Sequence, residues 1–236
     1  MKLKKIITVV LAFSLMLTLT ACGKDNKIKK YSTYIENLIA VNYLGASDAY
    51  IESTGANKED AEAMYAQNVD RLAIALKNYY GLVLTEDDEL FKDLHTLAEM
   101  VYGNAKYSVD KTYKSSGHYK VDITIYPIDI ITQADQDAKA YVEKFNEKVA
   151  AGEFNNYDKE TYEHEFAEGL VDILKDAAKN MTYRDPQTIT VTIVEDGDTF
   201  YISNEDFIKI DDAMVAGSTA VESTESETTE SESTSE

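Results

Sequence analysis

Residues 119–127, Tyr119-Lys120-Val121-Asp122-Ile123-Thr124-Ile125-Tyr126-Pro127, alternate apolar and polar side chains without a break. A period of two puts Tyr119, Val121, Ile123 and Ile125 on one face of a β-strand and polar residues on the other. Such a strand has one face in a core and one toward water. Pro127 has no N–H for a ladder, so the strand ends or reaches a sheet edge near Pro127-Ile128-Asp129. Upstream, Ser115-Ser116-Gly117 is a turn, and Tyr107, Val109 and Lys111 fall on one side of a preceding strand, completing a hairpin. A second hairpin is expected where Ile189, Val191 and Ile193 alternate with threonines, Glu195-Asp196-Gly197-Asp198 forms a tight turn and residues 200–202 return.

Outside the hairpins the period becomes helical. Tyr34, Leu38 and Val41 mark a helix over 31–43; Gly45 stops it and Ser47 opens a shorter one through Glu52. After the Thr54-Gly55-Ala56 turn, Asn57 caps a helix whose buried face is Ala61, Met64, Tyr65, Leu72, Ala73 and Leu76, with Glu59 and Asp60 at its positive end. A third helix is expected from Thr85 to Gly103 through Leu90, Phe91, Leu94, Leu97, Ala98 and Val101. Between the hairpins, Ala138, Tyr141, Val142, Phe145 and Val149 mark a helix closing at Gly152, and Tyr162, Phe166, Leu170, Ile173, Leu174 and Ala177 mark another. Asn204 caps a last short helix carrying Phe207 and Ile210. This order predicts an α+β class: an antiparallel sheet of about four strands from two hairpins, packed against helices. It resembles the cystatin and nuclear-transport-factor topologies, an analogy that carries no function. The domain is expected over 31–217, as one unit or as two related halves, 31–131 and 132–217.

The N-terminus gives an address. Lys2, Lys4 and Lys5 precede an apolar run over 6–19, long enough for a signal segment and short for a membrane span. Leu19-Thr20-Ala21-Cys22 resembles the bacterial lipobox, which implies cleavage between Ala21 and Cys22 and a diacylglyceryl thioether on Cys22, the only cysteine. Residues 1–21 are then signal peptide, with an ordinary cleaved signal and a spare thiol as the other reading. Two acyl chains hold a protein on a bilayer where one leaves it exchanging. Residues 22–30, with Lys24, Lys27, Lys29 and Lys30, read as an acylated, basic linker that sits close to anionic headgroups. The predicted location is the extracytoplasmic face of the cell membrane.

The net charge of −20 includes three signal lysines, so the mature chain is more acidic still. That balance argues against a nucleic-acid ligand, which needs a basic footprint. With no second cysteine, the folded part must be stable without disulfides. Residues 218–236 are Ser, Thr and Glu with one Ala and one Val, too few apolar groups to offset chain entropy, and are predicted to be a disordered acidic tail.

Ser53-Thr54-Gly55-Ala56, Lys58-Glu59-Asp60-Ala61-Glu62, Ala105-Lys106-Tyr107-Ser108-Val109 and residues 121–129 resemble, over 31–210, a group of uncharacterised lipoproteins of Gram-positive bacteria that share a domain of unknown function. The resemblance implies a surface lipoprotein and supplies no catalytic residues.

The chemistry-bearing residues are sparse. His95, His118 and His164 have no metal spacing, and His164-Glu165 is followed at the next helical turn by Glu168, not by a second histidine. Glu86, Asp87, Asp88 and Glu89 read as a helix first turn and Asp196 with Asp198 as a hairpin turn, neither fitting a calcium loop. Tyr79-Tyr80 are candidates for a ligand groove or for core. No nucleophile elbow, phosphate loop or dinucleotide fingerprint is present. The expected function is non-enzymatic: a membrane-anchored domain, without cofactor, presenting a helix-and-sheet surface to an envelope protein, a cell-wall component or a small molecule. A transporter's solute-binding component, which needs parallel strands, and a carboxylate-dependent envelope hydrolase, which needs two converging acids, are the alternatives. Replacing Cys22→Ser should move the chain from the membrane to the soluble fraction, and intact-mass analysis of the wild type should show the diacylglyceryl adduct.

Overall fold

The computed structural model describes residues 24–197 and 199–217; Ala21, Cys22, the signal segment, Asp198 and the tail lie outside the described residues. In chain order the elements are α1 (Lys24–Leu44), α2 (Ser47–Thr54), α3 (Lys58–Tyr79), α4 (Glu89–Tyr102), β1 (Lys106–Ser115), β2 (His118–Tyr126), β3 (Ile128–Asp129), α5 (Ile131–Ala151), α6 (Lys159–Lys179), β4 (Thr182–Tyr183), β5 (Gln187–Asp196), β6 (Thr199–Ile202) and α7 (Asn204–Met214). As expected, the class is α+β: an antiparallel sheet in the order β1-β2-β5-β6 packs against helices.

The alternation in β2 sets the layers. Tyr119, Val121, Ile123 and Ile125 are buried and stand opposite Ile193, Val191, Ile189 and Gln187 of β5. α1 and α7 pack on this inner face, α3 lies against α1, and α4 connects α3 to the α5–α6 pair. Tyr31 and Tyr34 of α1 meet Phe200 of β6 edge to face at 5.0 Å, and Tyr31 meets Tyr119 in the same way. One continuous apolar core runs from Tyr31 to Val215. The two hairpins join through β2 and β5 into one sheet over that core.

Several boundaries differ from the sequence reading. α1 starts at Lys24, so the segment read as a basic linker is helical from its third residue. α4 starts at Glu89 rather than Thr85: Asp88 is its N-cap, accepting from the Leu90 N–H at 3.1 Å. Ser203, not Asn204, caps α7, and α2 starts without a side-chain cap. Asn57 caps α3 as expected, accepting from the Asp60 N–H at 2.7 Å. The register of β1 shifts between Val109 and Lys111, a bulge at Asp110 that turns Lys111 to the outer face and Thr112 inward opposite Val121. A strict period of two cannot foresee an inserted residue. The two-stranded β3–β4 ribbon was not visible in a pattern only two residues long.

The α5–α6 hairpin carries its own aromatic cluster: Phe145 stacks on Phe154 at 4.7 Å and meets Phe166 edge to face at 5.1 Å. Tyr141 of α5 lies over Gly169 of α6 and donates its hydroxyl to the Glu165 carbonyl at 3.0 Å. A Cβ at Gly169 would run into the Tyr141 ring. Alanine gains about 1 kcal/mol over glycine in a helix, whereas overpacking costs about 1–3 kcal/mol. With the hydroxyl bond also lost, the clash should win. Gly169→Ala is therefore expected to lower stability in urea denaturation by about 1–2 kcal/mol, while Gly169→Ala with Tyr141→Leu should recover most of it.

Candidate functional site

The helices cover one face of the sheet, and the other carries a ladder of polar and tyrosine side chains. Alternation in β1, β2 and β5 directs Ser108, Tyr113, Lys120, Asp122, Thr124, Tyr126, Thr188 and Thr190 outward, each exposed or half-buried. Threonine suits such a face because its branched Cβ favours strand geometry and its hydroxyl remains available.

Two carboxylates organise the face. Asp110, raised on the bulge, accepts from Ser108 Oγ and Thr124 Oγ1, both at 2.6 Å, and Thr124 Oγ1 lies 3.3 Å from Thr188 Oγ1. These hydroxyl bonds hold the Asp110 carboxyl below the ordinary carboxylate range. Asp122 accepts from Thr190 Oγ1 at 2.8 Å and from the Tyr113 hydroxyl at 3.2 Å. Lysines lie over the neighbouring rings: Lys111 is 5.1 Å from the Tyr113 centroid, and Lys106 is 4.3 Å from Tyr126 and 5.7 Å from Tyr183. The face thus offers carboxylate and hydroxyl acceptors, hydroxyl donors and aromatic surface in one plane.

A second polar cluster is internal. Arg71 of α3 donates to Asp211 of α7 and to Asn68, both at 2.6 Å. The hydroxyl of Tyr43 donates to Asp211 at 3.0 Å, and Asn68 donates to the Asn42 carbonyl at 3.0 Å. Asn42 and Asn68 are buried. This network ties α1, α3 and α7 together and is architectural.

The residues weighed from sequence are dispersed. His95 Nε2 lies 3.2 Å from Asp70, with its ring edge-on to Phe91 at 4.9 Å, and His164 Nε2 lies 3.9 Å from Asp88. His118 is exposed at the start of β2. Among the described residues no three His, Cys, Asp or Glu side chains are grouped as a metal site requires. Glu89 pairs with Lys92 at 2.6 Å and Asp88 is spent as the cap of α4. Tyr79 and Tyr80 donate to Asp135, joining the end of α3 to α5. Cys22, the predicted lipid attachment, lies outside the described residues. The outer-face ladder was legible as the polar half of the strand alternation, but the roles of Asp110 and Asp122 depend on hydroxyls from strands far apart in sequence.

No protein-family model and no curated protein matches the sequence. The fold is similar to that of YcdA from Bacillus subtilis, described as a candidate lipoprotein, with a TM-score of 0.56 at 15% identity. The likeness covers 81% of this chain and 58% of that one, and at this identity it shows the fold alone. Among the described residues no helix is long and apolar enough to cross a membrane.

A lowered carboxyl pKa stabilises the fold above its unfolded value, about 3.9 for Asp, and that contribution is lost as pH falls through the lower folded value. Comparing thermal unfolding of the wild type with Asp110→Asn, the wild-type advantage should be constant down to about pH 4 and close below it.

Proposed function

We propose that this chain is an extracytoplasmic lipoprotein that works by binding rather than catalysis, and that the sheet face opposite the helices takes a polyhydroxylated cell-wall polymer. The observation that carries the reading is the pairing of Asp110 and Asp122, each held by hydroxyls between strands, with the rings of Tyr113 and Tyr126 on the same face. A sugar presents hydroxyls at its edge and C–H groups on its face. Carboxylates and threonines suit the edge, and tyrosine rings, amphipathic and rigid, suit the face. The likeness in fold to a protein described as a candidate lipoprotein is consistent with the anchor.

Two features favour this over the alternatives. The main sheet is antiparallel throughout, whereas paired βαβ lobes of a solute receptor need parallel strands. A glycoside hydrolase needs one carboxylic acid with a raised pKa; Asp110, Asp158 and Glu195 are all shifted the other way. In Asp158 the backbone N–H of Thr161 is responsible. In Glu195 burial pushes the pKa up, but hydrogen bonds from Lys27 and Tyr31 outweigh it.

The test is calorimetric titration of soluble cell-wall fragments into the chain from residue 22 onward, carrying Cys22→Ser. A hydrogen bond to a charged group is worth about 1.5–3 kcal/mol, so Asp122→Ala should weaken binding about tenfold or more. Tyr113→Ala should weaken it as well, and recovered fragments should be chemically unchanged. Turnover of a fragment, or binding indifferent to both substitutions, would refute the proposal.

A further inference from the structure

The end of the sheet that carries both hairpin turns is also the end where α1 begins. Ser115 pairs with His118 and Asp196 with Thr199 to close the hairpins, and Tyr119 opposite Ile193 sets the two turns side by side. α1 is fastened there. Lys27 Nζ donates to Glu195 at 2.7 Å, the Tyr31 hydroxyl donates to the same carboxylate, and Lys30 lies 4.9 Å from the Phe200 centroid. Lys27 and Lys114 share the Tyr119 ring, at 5.8 and 5.4 Å.

This end is basic in a chain of net charge −20. Lys27, Lys29 and Lys30 come from α1, and Lys114 and Lys120 from the turn end of the first hairpin, whose residues 111–120 contain no acid. The acids of this end in the sequence are Asp25 of the α1 segment and Glu195, Asp196 and Asp198 of the second turn, and Glu195 is committed to Lys27 and Tyr31. At the other end of the sheet, beyond Pro127, the Ala216 N–H donates to the Ile128 carbonyl at 2.8 Å and Ile128 bridges Val215. The chain therefore leaves the domain at Gly217 from the opposite end, into a segment with six glutamates. Nine residues of β2 separate the two ends by about 30 Å.

We infer that the basic end docks on the anionic surface of the bilayer that holds Cys22, so that the sheet stands on its hairpin turns with its strands pointing away from the membrane. The inference rests on the lipoprotein reading above. From Cys22 to Lys24 the chain can span at most about 7 Å, within a Debye length at physiological salt. Lysines held that close to anionic lipid bias the domain toward one orientation, and the rigid join of α1 to the hairpins carries that bias to the whole sheet.

The test fixes the tether chemically. The chain from residue 22, in which Cys22 is the only thiol, is coupled to maleimide lipid in phosphatidylcholine vesicles with or without about 30% phosphatidylglycerol, and backbone hydrogen exchange is followed by mass spectrometry. On anionic vesicles, exchange over residues 112–120 and 195–200 should slow severalfold, residues 180–186 should be unchanged, and about 0.5 M salt should abolish the slowing. The combined Lys29→Glu, Lys114→Glu and Lys120→Glu variant should lose it, whereas Lys139→Glu with Lys144→Glu on α5 should keep it. Equal exchange on the two vesicles, slowing that survives the combined variant, or slowing at residues 180–186 would overturn the docking. Acylation of Cys22 in the cell is read separately by intact mass, so an absent adduct would refute the lipoprotein reading without touching the vesicle result.

Discussion

The structure depends on one strand being satisfied on three sides. β2 is hydrogen-bonded to β1 along one edge and to β5 along the other, and its inner side chains, Tyr119, Val121, Ile123 and Ile125, are sealed beneath helices. Burying each of the three aliphatic side chains contributes about 1.5–3 kcal/mol, and a slip of one residue would send all four to water. Register is therefore strongly specified. That in turn fixes where the hairpin turns fall, which hydroxyls meet across the outer face, and where α1 can be fastened.

Around this apolar frame, polar groups position the helices. The Arg71–Asp211 pair, the Tyr43 hydroxyl and the two buried asparagines hold α1, α3 and α7 at one another's surfaces. Each buried group here has a partner, the condition under which such a network is tolerated and its unpairing is costly. Asp206 does similar service at the sheet: its carboxylate accepts from the Thr192 N–H at 2.7 Å, where β6 has already ended and no strand is left to pair. α7 thus completes the ladder as well as the core.

The molecule is polar along the strand direction. Lysines gather at the hairpin turns and the start of α1, and the last described residues, Val215 to Gly217, lie at the far end. Between them stands a sheet face with hydrogen-bonding groups and tyrosine rings and, among the described residues, no helix over it. Anchorage, orientation and recognition would then occupy three different surfaces, each imposing its own residue types, which is how one small domain can be acidic overall and basic at one end.

Residue pattern alone determined a good deal. The period of two in residues 119–125 and 189–193, the helical stripes, and the caps at Asn57 and Gly152 were enough to predict an α+β class with two hairpins, because burial and capping act between near neighbours along the chain. The lipobox-like run ending at Cys22 is likewise a local signal. Tertiary structure alone decided the rest. The bulge at Asp110, the joining of the hairpins through β2 and β5, the Arg71–Asp211 link and the bond of Lys27 to Glu195 all pair groups whose partners are distant in sequence or displaced by an inserted residue. A one-dimensional period records which face a residue occupies. It does not record what stands opposite, and hydrogen bonds and ion pairs are made with what stands opposite.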